Sequence, residues 1–411
     1  MITPLGQGLE PTWKALCEGR SGVRPITRFD ASAFPVTFGA EVTDPEIHED
    51  DGSWPELDTL KGRLAWFAVK EALQMAGRWE GPCAGDATSA AWAARTGICM
   101  GSEAARPDLG LIAGRLHGNQ LPTLAELKLL APDSPTRLIG RMIGAEGPRS
   151  TISTACTSSA QAVGEGMLRI RRGEADTMVV GGVDVLVDPI MLTGFSLLGA
   201  LSTRNAEPQR ASRPFDAERN GFVLGEGAGV LILESLEKAQ ARGAQILGVM
   251  SGYGCSCNAY RITDSPPDGR GAALSMLAAI QDAGVQPEEI GYVNAHGTST
   301  QMNDVSEARG IKVVFADATS TVPVGSTKSM MGHLVAACGA VEVITSLLAL
   351  RHGRLPPTIN LEEPDPECEI CLIGPEGGST DKHHALSNAF GFGGSNASIV
   401  VSHPRVLGVQ K

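Results

Sequence analysis

Thr154-Ala-Cys156-Thr-Ser-Ser159 opens the stretch that decides the fold, TACTSSAQAVGEGMLRIRRG over residues 154–173. Small residues dominate it, Gly173 stops it, and the spacing predicts a helix entered at Cys156 and running to about Arg172. Residues 177–187 (TMVVGGVDVLV) follow as a buried strand. Before this pair, residues 64–76 (LAWFAVKEALQMA) predict an amphipathic helix ending at Gly77, and Thr96–Met100 a buried strand. The second half repeats the order. Residues 272–283 (AALSMLAAIQDA) predict a helix ending at Gly284, then comes a strand over Ile290–Asn294. A second small-residue helix is expected from His333 to Leu350, stopping at Gly353, and a last strand over Ser398–Ser402. In both halves a reactive residue sits where the chain enters a helix. The pattern is a duplicated α/β unit with two sheets and helices between them. The expected halves are residues 1–247 and 248–411. Residues 103–147, irregular and punctuated by Pro, are expected as an insertion in the first half. Residues 204–222 form a polar connection near the join.

Composition sets outer limits. A chain of 411 residues fits two domains or one large double core. Aromatic residues are 4% and there are 50 Gly, so the core is expected to be closely packed Ala, Val, Leu and Gly. No apolar run reaches about 18 residues, which argues against a membrane-spanning helix. Met1 to Glu10 lack the basic stretch and apolar run of a secretory signal. Nine cysteines, an odd number without framework spacing, imply reduced thiols and a cytoplasmic location. Cys255-x-Cys257 and Cys368-x-x-Cys371 lack a further ligand pair at zinc spacing, so no metal is expected. The net charge of −12 disfavours nucleic acid and acidic membrane as partners.

Four segments carry the candidate chemistry. Free N–H groups at the start of the helix should favour the Cys156 thiolate and bring its pKa below about 8.5; taken alone, Cys156 reads first as a buried structural cysteine, as most cysteines are. His296 follows the strand Tyr292-Val-Asn-Ala295 and precedes Gly297, Thr298, Ser299 and Thr300. It can approach a ligand, or cap the region of Asp304 and Glu307. His333 faces Cys156 if the two halves are pseudo-symmetric, and otherwise caps a helix. Lys328, expected at the end of an apolar strand after Val322 and Val324, needs a partner, for which Glu342 is the candidate; the alternative is a lysine with its head in water. In Asn388-Ala-Phe-Gly-Phe-Gly-Gly394, the glycines permit unusual backbone around Phe392. The Phe392 N–H could join that of Cys156 in an oxyanion hole, or the segment is a hairpin with a core Phe. No Lys-Ser/Thr follows Gly394, so it is not a phosphate loop.

These residues resemble a β-ketoacyl-acyl-carrier-protein synthase of the thiolase superfamily, most closely the type II elongating enzyme. The matching runs are TACTSSAQAV, ALSTRN, SRPFDAERNGFVLGEGAGVLILE, GYVNAHGTSTQMND, STKSMMGHLVAACGAVEVI, LPPTINLEEPDPEC and NAFGFGGSNASIV. They cover most of residues 150–402. The resemblance implies a thiolase-like, five-layered α-β-α-β-α fold with two mixed sheets. It implies Cys156 as acyl acceptor and His296 and His333 as the decarboxylation pair. Lys328 would orient the second His and its Glu342 partner, and Phe392 would gate the acyl pocket. Phe390, Thr298 and Thr300 would contact substrate, the two threonines on the phosphopantetheine arm, and Arg204 would contact the carrier. It implies an acyl-carrier protein as partner, a homodimer, and no cofactor beyond the substrate's own phosphopantetheine. A monovalent cation near Asn303, Glu342 and Ser387 goes with it.

Two departures stand out. The apolar strand that usually precedes a segment like Met1-Ile-Thr-Pro-Leu-Gly6 is missing, and is expected as an interior strand of the first sheet. Residues 103–140, for example Ala104-Ala-Arg-Pro107 and Lys128-Leu-Leu-Ala-Pro132, diverge where the acyl pocket and dimer interface are expected. The implied activity is a two-stage decarboxylative Claisen condensation of a malonyl thioester with an acyl group on Cys156, extending a fatty-acyl chain by two carbons. A polyketide or secondary-lipid ketosynthase would share the same residues. A non-condensing chain-length partner would lack the reactive cysteine. A cysteine hydrolase would need one His with an Asn or Asp orienter.

Overall fold

The computed structural model describes all residues except 48–51, 80–86, 104–114, 116, 119–120, 122 and 409–411. Ala104 to Pro107 and Cys83 therefore lie outside the described residues. The first sheet takes β1 (Ile2–Thr3), β2 (Gly6–Gln7), β3 (Thr96–Gly101), β4 (Arg149–Ile152), β5 (Thr177–Asp184) and β6 (Gly227–Glu234), in the order β2-β1-β6-β5-β3-β4. Strands β3, β4 and β5 run parallel, and β6 is antiparallel to β5. The second takes β7 (Val249–Cys257), β8 (Ile290–Asn294), β9 (Val324–Gly325), β10 (His384–Phe390) and β11 (Ser395–Ser402), in the order β9-β8-β10-β11-β7. It is also mixed, with β8 parallel to β9 and β10, and β11 antiparallel to both β10 and β7.

Helix α1 (Leu60–Met75) covers the outer face of the first sheet. Helix α2 (Ser158–Arg171) and α5 (Cys338–His352) lie between the sheets and touch both. Helix α3 (Arg270–Ala283) packs on the outer face of the second sheet, with α4 (Gln301–Phe315) against it. The layers are therefore α-β-α-β-α, and the α2–α5 pair is the middle one. Val335–His352 is long and apolar enough to cross a bilayer, but 83% of it is buried in this central layer.

Small residues let this layer close. Strand β5 is buried along its whole length, which is why its sequence is a continuous apolar run rather than an alternating one. A Cβ on Gly182 would stand 2.5 Å from Ser159 Cβ and 2.7 Å from the Ala336 carbonyl oxygen. One on Gly339 would stand 2.7 Å from Ala160 Cβ. The backbones of β5, α2 and α5 thus approach more closely than side chains allow, and aromatic residues have no place there. Gly77, Gly173, Gly284 and Gly353 end their helices with positive φ, the left-handed stop their positions suggested.

Three expectations are corrected. Residues 103–147 are not irregular throughout. They contain helices over Leu124–Leu130 and Ser134–Met142, the first opened by a capping box between Thr123 and Glu126. Pro135 lies in the first turn of the second, where proline is tolerated, so it marks a start rather than a break. Helix α5 begins at Cys338, not His333. The main chain of His333 is held beside residues 223–225, donating to the Val223 carbonyl at 2.7 Å and accepting from Gly225 N–H at 3.0 Å. The 204–222 connection is more than a polar linker. Arg213, Asp216 and Arg219 are buried in it, and Arg219 pairs with Asp365 at 2.6 Å and Asp304 at 3.6 Å.

The first sheet is thinly paired at one margin, where β1 and β2 are two residues each. Strand β1 pairs with β6 only through Ile2 and Ala228. Beyond that, residues 229–234 have β5 as their one strand neighbour among the described residues. An apolar groove of about 580 Å³ runs along this open flank, lined by Leu9, Met75, Val230, Ile232, Ile344 and Leu347. Met1 and Glu71 also line it. The four strands β6-β5-β3-β4 are continuous, so the platform under the site does not depend on the flank.

The close approach in the middle layer is testable. Gly182→Ala should lower unfolding stability by about 1–3 kcal/mol through overpacking, read by denaturant titration. An unchanged midpoint would contradict the packing described.

Candidate active site

Cys156 sits in a 3-10 turn, Ala155–Thr157, just before α2. Ala155 has φ 52°, a left-handed corner that is uncommon for a residue with a Cβ. Hydroxyls staple it. Ser158 Oγ donates to the Ala155 carbonyl at 2.7 Å, and Thr157 Oγ1 to the Thr154 carbonyl at 2.8 Å. The matching corner precedes α5, where Val335 has φ 45° in the turn Val335–Ala337. By position Ala336, not His333, is the counterpart of Cys156. His333 nevertheless faces the sulfur, with Nε2 at 3.0 Å from Cys156 Sγ.

The tautomer follows from a neighbour. Val335 N–H donates to His333 Nδ1 at 3.4 Å, so the neutral ring carries its proton on Nε2 and points it at the reaction space. His296 lies at the end of β8, its ring 5.3 Å from His333 and nearly perpendicular at 81°. Its loop is fixed by two acids of α4. Glu307 accepts from the N–H groups of His296 (2.9 Å) and Gly297 (2.8 Å), and Asp304 from those of Thr298 (3.0 Å) and Ser299 (3.1 Å). These acids hold backbone rather than being capped by the imidazole. They lie three apart at the start of α4, directly after a Thr/Ser run, and that spacing was the signal for them in the sequence.

Lys328 lies in a short helix, Lys328–Met331, rather than at a strand end. It is 1% exposed, as is Glu342, and the two form a buried ion pair. A lysine with its head in water is thereby ruled out. Lys328 does not orient His333 by contact; its bonded partner is Glu342, and it reaches both imidazoles through its charge. Burial first, and then the Lys328 charge, push His296 and His333 well below the usual histidine range. Both rings are neutral donors at neutral pH. The Glu342 carboxyl is pushed up to about 7 by burial, opposed by Lys328, and Glu307 to about 7 by burial, opposed by the N–H groups it accepts.

Cys156 departs from expectation. Its thiol is pushed up to about 12, because burial outweighs Lys328 and the N–H groups of Phe392 and Cys156 that favour the anion. The helix start cannot offset the loss of water around the sulfur. The resting residue is a thiol. Those two N–H groups still converge on it, which is the arrangement an oxyanion requires.

The other expected residues divide. Thr298 and Thr300 share a hydrogen bond at 2.9 Å and line an entrance cavity of about 250 Å³ with Phe390, Phe392 and Asn303. Phe390 lies 5.6 Å from the His296 ring, and Phe392 6.3 Å from Phe195. Phe195 and Phe222, which pack edge to face and complete the wall, were not singled out from sequence. Arg204 is engaged by Glu218 at 3.0 Å and Glu207 at 3.7 Å. Of the oxygens expected around a monovalent cation, Glu342 Oε2 is buried without a partner, but Asn303 lies at the entrance; Asn294 Oδ1 is another buried oxygen without a partner. Cys156, His296 and His333 are the one cluster of three metal-type ligands among the described residues. Cys255-x-Cys257 and Cys368-x-x-Cys371 belong to none.

Comparison with known proteins matches this geometry to a family. Residues 1–239 fit the family model described as beta-ketoacyl synthase, N-terminal domain, and residues 247–362 the corresponding C-terminal domain. The chain belongs to the β-ketoacyl synthase family. It is 38% identical to a 3-oxoacyl-[acyl-carrier-protein] synthase 2 of Synechocystis sp., over 97% of this chain and 95% of the relative. It is 39% identical to the protein of that name from Coxiella burnetii, over 98% and 96%. Among solved structures, a β-ketoacyl synthase from Burkholderia phymatum superposes with TM-score 0.86 at 31% identity, covering 98% of this chain and 97% of that one. A type II polyketide ketosynthase solved with its acyl-carrier protein superposes with TM-score 0.83 at 31% identity, covering 98% and 97%. The thiolase-like fold and the condensing class of this β-ketoacyl synthase agree with the reading of its sequence.

Two measurements check the electrostatics. Iodoacetamide inactivation through Cys156 should accelerate from about pH 7 to about pH 10 without a plateau near the free-thiol value of about 8.5; a plateau there would contradict a buried thiol. Nitrogen NMR of labelled histidine should show His333 as the neutral Nε2–H form at about pH 6, below the ordinary midpoint of about 6.5. An imidazolium signal would contradict it.

Proposed function

We propose that this β-ketoacyl synthase elongates a fatty-acyl chain held on Cys156, using malonyl-acyl-carrier protein as the two-carbon donor. The observation that carries the reading is the convergence of one buried thiol, two neutral imidazoles and two backbone N–H groups in a single cavity. The identity to synthases named for acyl-carrier protein over nearly the whole chain supports the same class.

In the first stage the Cys156 sulfur attacks the acyl thioester carbonyl. The N–H groups of Cys156 and Phe392 hold the oxyanion, and the thiol proton leaves with the carrier's phosphopantetheine thiol. In the second stage a malonyl thioester enters past Thr298 and Thr300. His296 and His333 donate to its carbonyl oxygen as carbon dioxide departs. The enolate carbon attacks the acyl-Cys156 carbonyl, the 3-oxoacyl thioester leaves, and a proton restores the thiol. Holding the acyl group covalently splits one difficult step into two. Neutral imidazoles suit an enolate because each donates without itself needing to be deprotonated, and such a donor is worth about 3 kcal/mol in comparable sites.

The remaining assignments belong to the same proposal. A monovalent cation would be held by the unpartnered oxygens of Glu342 and Asn294 rather than Asn303, and no step runs through it. Arg204, beside acidic side chains at the surface, is a carrier contact. A homodimer is supported by the exposed Leu121, Leu124 and Leu127 of the insertion, and sedimentation should give the mass of two 42.8 kDa chains. The compartment is the cytoplasm, in keeping with the free thiols.

Intact mass after incubation with a series of acyl-carrier proteins tests the first stage. An acyl adduct should form on wild type and not on Cys156→Ala; no adduct with any fatty-acyl length on folded protein would refute the elongating reading. His333→Ala should still acylate but release carbon dioxide from malonyl carrier on the order of 10²–10³-fold more slowly, the loss expected for one such donor. Equal loss of both stages would contradict the division of roles.

A further inference from the structure

Glu103 lies two residues beyond the end of β3 and turns its carboxylate back on the nucleophile's corner. One oxygen accepts the Ala155 N–H at 2.9 Å and lies 3.2 Å from Ser158 Oγ, and the other accepts from Ser153 Oγ at 2.8 Å. Its main-chain carbonyl accepts Lys61 Nζ at 2.6 Å. Lys61, buried on α1, is also 3.0 Å from the fully buried Asp184 at the end of β5. The second Asp184 oxygen accepts the Ala336 N–H at 3.3 Å. Ala155 is the left-handed residue before Cys156, and Ala336 follows Val335, the left-handed residue whose N–H sets the His333 tautomer.

One relay, running from the half-buried Glu103 through its main-chain carbonyl to the buried Lys61 and Asp184, therefore grips both left-handed corners of the site. A left-handed residue with a Cβ is strained and persists only where its surroundings hold it. Here the holding groups are the Glu103 carboxylate on one corner and Asp184 on the other, with Lys61 between them. The Glu103 charge opposes ionisation of Cys156, so a carboxylate here works against the nucleophile unless its hydrogen bonds are what the site needs. Releasing the Ala155 N–H would free the corner and swing the next amide, that of Cys156, away from the oxyanion position.

We propose that Glu103 is a positioning residue for Cys156, fixing through Ala155 the amide that completes the oxyanion hole, with Lys61 and Asp184 extending the restraint to the His333 corner. The proposal rests on reading Cys156 as the acyl acceptor, and its test separates the two. Single-turnover acylation of Cys156 by an acyl-carrier protein and alkylation by iodoacetamide are measured on wild type, Glu103→Asp and Glu103→Gln, each normalised to folded protein. Aspartate keeps the charge but falls short of Ala155; glutamine keeps the reach and an accepting oxygen. Glu103→Asp should acylate roughly tenfold to 10²-fold more slowly, as expected for a misplaced catalytic group, and Glu103→Gln within about threefold of wild type, since the hydrogen bond is retained. Alkylation, which needs no oxyanion hole, should not fall in either. Equal acylation by all three proteins, a slower glutamine than aspartate variant, or a parallel fall in alkylation would overturn the positioning role. Wild type that takes no acyl group while still alkylating would overturn the acyl-acceptor reading and this proposal with it.

Discussion

Everything in the site depends on how closely two helix starts meet between the sheets. Helices α2 and α5 are built from Ala, Gly, Ser and Cys where they touch, and β5 presents Gly182 beneath them. Because no side chain holds them apart, the corners at Ala155 and Val335 come together, and Cys156 and His333 are brought within 3.0 Å. Duplication supplies the two corners. Divergence between the halves supplies the chemistry, since one corner carries the thiol and its counterpart carries alanine.

Burial then fixes the charge states. A thiol and two imidazoles buried at one cavity all rest neutral, and the Lys328–Glu342 pair is buried behind them. That pair costs desolvation energy and is weak evidence for stability. Its position explains it better. The Lys328 charge discourages protonation of both imidazoles and favours negative charge on Cys156. A neutral donor pair beside a covalent acyl carrier is what an enolate-forming step needs, and the same field serves both stages.

Much of this was legible in the sequence, and the failures share a cause. Glycine stops, the continuous apolar run of β5 and the strand at Ile290–Asn294 are local signals, and the chain obeys them. The ion pair of Lys328 with Glu342 was legible because a lysine in an apolar context demands a partner. What was lost is what depends on tertiary placement. The helix start proposed at His333 lies further on because residues 223–225 hold that backbone as a neighbouring extended segment. The low Cys156 pKa expected from a helix start fails because a sequence does not reveal how dry the sulfur is. Glu103 was passed over within a segment that looked irregular, because the groups that donate to it, on Lys61, Ser153 and Ala155, lie far from it in the sequence.

The most direct test of the account is a crystal structure of the protein acylated on Cys156. The acyl carbonyl oxygen should sit between the N–H groups of Cys156 and Phe392, with His296 and His333 left free to face the entrance. An acyl oxygen hydrogen-bonded to either imidazole, with the two N–H groups unused, would contradict it.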